Sequence, residues 1–266
     1  MALTFKSICV VILLYKADRA SANRLARTCI EQGGSVLFVN NDQIDFDPLL
    51  PLGDLIINVI NNGSNLGVSV GYNVGIDFAA EHGFENVLLL DQDSTLPENL
   101  ISGGLNLLLA EPGLSIVAPR ICNHGKLISG QKFPILSGMI IRLLHWPTIG
   151  PLDENIFVDF VDYELSMRSL KPGVNFKFID ILMYHSIGVP KVFLRTYSVH
   201  DPIRLGGMII DAAYVCRKTD SYHVIYLAFV AVIKNILLSP SNLYLIMKFQ
   251  FKAYRVISNS APFSRG

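Results

Sequence analysis

A chain of 266 residues, 51% hydrophobic and 17% charged, is long enough for one α/β domain with a substantial core and an appendage. Its formal net charge is zero, yet residues 1–190 carry 12 Lys and Arg against 19 Asp and Glu, while residues 191–266 carry 10 against 3. An acidic body with a basic tail suggests contact with an anionic surface, and so apolar a tail makes that surface a membrane rather than nucleic acid.

In chain order, Ile8–Tyr15 is a continuous aliphatic run, the pattern of a strand buried on both faces rather than of a signal peptide, which would need a longer apolar region and a cleavage site. Ser21–Gln32 has helical character and stops at Gly33-Gly34, and Ser35–Val39 and Leu55–Ile60 follow as strands. Asn73–Glu81 reads as a helix, and Val87–Leu90 as a strand running into Asp91-Gln92-Asp93. A helix over Glu98–Ala110, strands at Ser115–Ala118 and 137–141, a helix from near Asp159 and a strand over Phe176–Met183 complete the body. Alternating strands and helices predict a mostly parallel sheet with flanking helices. Four scattered cysteines, Cys9, Cys29, Cys122 and Cys216, form no CxxC pair and fit buried thiols in a reducing compartment.

From His200 the character changes. Tyr222–Leu238 is almost wholly apolar, Ser239-Pro240 breaks it, and in Leu243–Val256 the residues Lys248, Lys252 and Arg255 make one basic stripe among aromatics. The pattern suits a helical segment lying on an anionic membrane surface; the alternative is two helices packed on the domain's own core.

Three segments carry candidate chemistry. Asp91 and Asp93 stand at the carboxyl end of a buried strand, where ligands bind in open α/β sheets. If the strand continues, residues i and i+2 face one side, and two close carboxylates suit a hard divalent cation such as Mg²⁺ or Mn²⁺; the alternative is a solvated turn. In 65–75, Asn-Leu-Gly-Val-Ser-Val-Gly-Tyr-Asn-Val-Gly, three glycines share one helix face, which implies close approach to a nucleotide or to a neighbouring element. The segment is neither GxGxxG nor a P-loop, which counts against a nicotinamide or P-loop enzyme. In 157–168, Asp159 is placed as an N-cap with Asp162 imitating a capping box, and Glu164 and Arg168 as an i, i+4 ion pair. A carboxylate here can also take a proton from an acceptor hydroxyl. A helix N-terminus would lower the basicity of Asp162 and its acidic neighbours would raise it. His185 is either structural or a ligand to metal or phosphate.

In this order the motifs resemble glycosyltransferase family 2, and within it the bacterial rhamnosyltransferase-like enzymes of O-antigen and other surface polysaccharides. The likeness runs over roughly residues 7–190, on Asn65-x-Gly67, Asn73-x-Gly75, Gly83-Phe84, Leu88-Leu-Leu-Asp91-Gln-Asp93-Ser94, Ser137-Gly138, Asp159-x-x-Asp162-x-Glu164-x-x-x-Arg168 and His185-Ser-Ile-Gly188. It implies a GT-A fold over 1–190, with the basic, apolar helical segment of 191–266 appended to it, and an inverting single-displacement transfer. It further implies Asp162 as general base, and Asp91, Asp93 and His185 around Mg²⁺ or Mn²⁺. Asn65, Gly67, Asn73, Asp91, Ser137 and Gly138 would line the substrate site. The implied donor is dTDP-L-rhamnose, with a UDP-hexose the alternative. The implied acceptor is a polyprenyl-diphosphate-linked saccharide at the cytoplasmic face of the bacterial inner membrane. A non-catalytic sugar-nucleotide-binding module is the rival. Lys16 after Leu14-Tyr15, Asn40 after Val39, and Gly206-Gly207 with Ile210-Asp211 after Arg204 depart from the family pattern.

Overall fold

The computed structural model describes residues 7–48, 56–123, 126–127, 131–170, 173–184, 189–193, 195–199 and 202–238. His185 and the basic stripe at 248–255 lie outside them.

The continuous apolar runs form the centre of the sheet. β1 (Ile8–Leu14), with every residue buried, pairs in parallel with β2 (Ser35–Asn40) on one side and with β4 (Asn86–Asp91) on the other. β3 (Ile56–Asn61) lies outside β2, again in parallel. The chain thus runs outward from β1 to β3, then returns through α2 (Val68–Glu81) to β4 on the far side of β1. This reversal of strand order opens a crevice beyond the carboxyl ends of β1 and β4. Beyond β4 the sheet continues through β7 (Ile140–Arg142), antiparallel to it, then β5 (Ile116–Asn123), which pairs with β6 (Lys126–Leu127) and β8 (Phe176–Tyr184). A hairpin of β9 (Val189–Phe193) and β10 (Arg195–Val199) forms a separate ribbon.

Alternate residues of each central strand feed two cores. Ile8, Val10, Ile12, Leu88 and Leu90 pack under α1 (Arg19–Glu31) and α3 (Leu100–Ala110). Val11, Leu13, Val87 and Leu89 pack against α2 and the helices that follow: α4 (Trp146–Ile149), α5 (Val161–Arg168), α6 (Pro202–Thr219) and α7 (His223–Leu238). Leu205, Ala212 and Val215 of α6 and Val224, Ala228 and Val232 of α7 belong to this second core, so α6 and α7 pack on the body as far as Val232. Among the described residues no helix is long and apolar enough to cross a membrane.

α2 begins five residues earlier than its apolar pattern predicts. Its glycines allow this close seating: a Cβ on Gly71 would lie 2.4 Å from Leu13 and one on Gly75 2.4 Å from Val11. Gly71 and Gly75 thus meet a neighbouring element, one of the two readings of the glycine face. The strand predicted at 137–141 is shorter, because Gly138 adopts φ +90° and the Met139 N–H donates to Leu136 O at 3.0 Å, closing 136–139 into a turn.

Candidate active site

The carboxyl ends of β1, β2, β3 and β4 carry a polar rim. Asn40 Nδ2 donates to Asn61 Oδ1 at 2.9 Å and to Ile44 O at 2.8 Å, so the asparagine that departs from the family pattern knits two strand ends together. Asn41 Nδ2 donates to Gly67 O at 2.7 Å, and Tyr15 and Gln92 exchange two hydrogen bonds across β1 and β4.

Asp91 is the last residue of β4. The strand does not continue through it: the Ser94 N–H closes a turn onto Asp91 O at 3.1 Å. Strand alternation therefore does not place Asp91 and Asp93 on one side, as the spacing predicted. Asp91 faces a cavity of 560 Å³ that also takes in Ser137, Asp159, Asp162, Arg204 and Leu227. Asp93, exposed, lines a groove with Ser21, Arg24, Thr28 and Ser94. The turn is a ridge between the two recesses.

Beneath the ridge lies Tyr72, fully buried, whose hydroxyl donates to Asp91 Oδ1 at 2.6 Å. Burial first, and then the charge of Asp91 and the bond to it, push the Tyr72 pKa well above the ordinary phenol range, with Asp93 adding to the shift; the hydroxyl remains a donor. Ser137 Oγ accepts the Asp91 N–H at 3.2 Å and lies 2.6 Å from Ser94 Oγ. Asp91 and Asp93 on either side of the ridge offer only carboxylate oxygens, the donor type that hard divalent cations take. Among the described residues no group of three His, Cys, Asp or Glu side chains could hold a metal ion.

The opposite wall is the strip 156–159 and the first turn of α5. The strip packs so closely on α2 that a Cβ on Gly67 would meet Phe157 at 2.6 Å. Phe160, at φ +69°, ends the strip, and α5 starts at Val161. Phe160, and not Asp159, therefore holds the N-cap position, with no side-chain cap; the predicted capping box does not form. Asp159 instead accepts from Arg204 Nη2 of α6 at 3.3 Å. The predicted Glu164–Arg168 pair is present at 3.0 Å, and Lys218 of α6 joins it at 2.8 Å from Glu164.

Asp162 stands in the first turn of α5, half-buried in the cavity wall. Burial, reinforced by the charges of Asp159 and Asp91, pushes its pKa up to about 6, although the Tyr163 N–H stabilises the carboxylate. Of the opposing influences on its basicity, desolvation wins.

Other predicted residues have structural partners. Asn65 Oδ1 accepts from the Gly67 N–H at 3.1 Å, turning the chain into α2. Asn73 is buried and exchanges hydrogen bonds of 2.9 Å with the Leu152 backbone, lining a different recess with Asp153 and Lys218. Gly138 admits Met183 and Pro119, which a Cβ would meet at 2.6 and 2.8 Å. Two residues that the motifs did not assign bear directly on the site. Tyr72 lies within the glycine segment, between Gly71 and Asn73. Asp211, a lone charge in the apolar run 208–213, accepts the backbone N–H groups of Phe157, Val158 and Asp159.

No protein-family model matches the chain. It is 28% identical over 240 residues to dTDP-rhamnosyl transferase RfbF of Shigella flexneri, covering 80% of each chain. The structure superposes on S. aureus TarS (residues 1–349) with a TM-score of 0.53 at 11% identity, covering 95% of this chain and 81% of that one. On Mycobacterium tuberculosis glucosyl-3-phosphoglycerate synthase, solved with Mn²⁺, uridine diphosphate and glucosyl-3-phosphoglycerate, the TM-score is 0.51 at 12% identity, covering 83% and 85%. The structural likenesses establish a GT-A-like α/β fold with a central sheet and flanking helices. The likeness in sequence to the Shigella flexneri transferase supports catalytic, transferase activity.

Proposed function

We propose that the chain is an inverting glycosyltransferase that moves a sugar from a nucleoside-diphosphate donor, with dTDP-L-rhamnose the first choice and a UDP-hexose the second, onto a polyprenyl-diphosphate-linked saccharide in surface-polysaccharide synthesis. One observation carries the reading: a carboxyl group of raised basicity, Asp162, shares a cavity with the anionic end of β4 at the reversal point of the sheet. Asp162 takes the proton of the acceptor hydroxyl, and the acceptor oxygen attacks the anomeric carbon. The bond from that carbon to the diphosphate breaks on the opposite face, so the configuration inverts and the nucleoside diphosphate leaves. Asp91 and Asp93 would hold Mg²⁺ or Mn²⁺, which when bound supplies positive charge to the departing diphosphate. The two recesses divide the substrates, the nucleotide on the Arg24 side of the ridge and the reacting sugar and acceptor on the Asp162 side.

The test is calorimetry with Mn²⁺ and dTDP-rhamnose, UDP-galactose and UDP-glucose, followed by transfer to a lipid-linked acceptor and assignment of the product anomer. Metal-dependent binding of one donor and an inverted product are expected. Failure to bind any nucleotide sugar, or a retained configuration, overturns the proposal.

The acceptor's lipid suggests how the protein sits. Tyr226, Phe229, Ile233 and Leu237 are exposed along one side of α7, as is Tyr222 just before it, and Leu227 of the same helix reaches the cavity rim. In this reading the stripe lies on an anionic membrane at the cytoplasmic face, with the basic residues after 238 adding charge attraction. Cosedimentation with vesicles containing anionic lipid should fall several-fold when Tyr226 and Phe229 are both changed to Ser. Unchanged sedimentation of that double variant would count against this placement.

A further inference from the structure

The backbone groups of the strip 156–159 are tied in opposite directions. Two carbonyls face α2: Ile156 O accepts from Ser69 Oγ and Phe157 O from the Val68 N–H, at 2.7 and 2.6 Å. Three successive amides face α6, where the N–H groups of Phe157, Val158 and Asp159 converge on the carboxylate of Asp211 at 3.2, 3.0 and 3.2 Å. Asp211 is completely buried. A carboxylate in such a place carries a large desolvation cost, offset only where several donors meet it. A hydroxyl presents one oxygen to the amides, and an amide side chain would turn an NH₂ donor toward them; only a carboxylate accepts on both atoms. The fold therefore keeps an expensive group where it ties down three successive amides, and the far end of that backbone is the start of α5. Between them stands Phe160 in the left-handed region, a conformation that surrounding structure must impose.

We propose that Asp211 is a positioning residue: by clamping the amides of 157–159 against α2, it fixes the entry of α5 and aims Asp162 at the acceptor hydroxyl. The clamp rests on the transfer reaction proposed above for its consequence, though not for its geometry. A purely architectural role, in which Asp211 merely fastens α6 to the body, makes a different prediction. It would cost folding stability without changing turnover per folded molecule.

The experiment compares Asp211→Asn with Leu108→Ala. Leu108 is buried on α3 in the other core, so its truncation destabilises the protein far from the cavity. Both variants are assayed well below their melting temperatures, with turnover normalised to folded protein. Asp211→Asn is expected to lower kcat roughly 10–100-fold, as a small misplacement of a reacting group does, with donor affinity within about twofold of wild type. Hydrogen exchange at the amides of 157–159 should accelerate locally. Leu108→Ala should lower the melting temperature and leave kcat unchanged. Equal turnover in both variants, or a fall in Asp211→Asn with exchange at 157–159 still slow, overturns the proposal. If Asp211→Asn does not fold, Asp211→Ser, which keeps one acceptor and leaves room for water, serves the same comparison. A wild-type protein without transfer activity would sink the proposed reaction and the aiming role together. The exchange measurement would still report whether Asp211 holds the strip.

Discussion

Replacing Asp162 by Asn should lower kcat by roughly 10²–10⁴-fold, the range that a positioned general base contributes, while metal-dependent donor binding stays within about twofold. Asn keeps the shape and the hydrogen bond from the Tyr163 N–H, at 2.8 Å to Asp162 Oδ1, but cannot take a proton. The wild-type pH profile should show the same group. With its pKa pushed up to about 6, Asp162 is protonated and inactive below that value, so kcat rises with pH through about 6. Asp162→Asn should flatten that limb. Stability runs the other way. An unfolded Asp titrates near about 4, so between about pH 4 and pH 6 the unfolded chain has released a proton that the folded chain still holds. Stability therefore falls as pH rises through this window, and the penalty remains in full at neutral pH. Asp162→Asn removes the penalised charge and should raise the melting temperature at pH 7, a site residue that costs folding to serve function. Turnover near wild type in Asp162→Asn, or an unchanged acid limb, would move the base elsewhere.

How far the sequence foretold this site depends on how local each constraint is. β1 and β4 were legible because a strand covered on both faces must be apolar at every position, and Ile8–Leu14 and Val87–Leu90 are. That Asp91 would stand at a ligand-binding edge followed from the strand it ends. The backbone after it did not, since the extended repeat stops where Ser94 closes its turn. The glycines of α2 announced close packing without naming the partner; β1 and Phe157 are contacts between distant parts of the chain. The start of α5 was misread for a related reason. Asp159 has the chemistry of an N-cap, but Phe160 occupies the left-handed position, which a bulky side chain rarely takes and which nothing in its neighbourhood of sequence signals. Asp211 did leave a trace, one carboxylate among Met208, Ile209, Ile210, Ala212 and Ala213. A charge so placed must find donors, but only the fold reveals that they belong to the strip leading to Asp162.

Asp93→Ala tests the other half of the chemistry, and it should separate function from folding more cleanly than any other substitution at the ridge. Asp91 is built into the structure through the Tyr72 hydroxyl at 2.6 Å and the Ser137 hydroxyl at 3.2 Å, so its removal would leave a buried phenol to find another acceptor. Loss of activity there would be ambiguous. Asp93 is exposed on the turn, and its side chain makes no hydrogen bond or ion pair with the described residues. Truncating it should change stability by no more than about 0.5 kcal/mol. If it helps hold the divalent cation, transfer should nonetheless fall by at least about 100-fold, since charge supplied to a departing diphosphate is worth several kcal/mol and each 1.4 kcal/mol or so is tenfold in rate. Calorimetry should show weaker nucleotide binding in Mn²⁺ but the same weak binding as wild type in EDTA. That pairing distinguishes a lost metal ligand from a lost contact with the nucleotide itself, which would lower affinity in both conditions. A variant that transfers sugar normally with Mn²⁺, or loses binding equally with and without it, would remove Asp93 from the metal site and leave Asp91 to hold the cation with substrate and water alone.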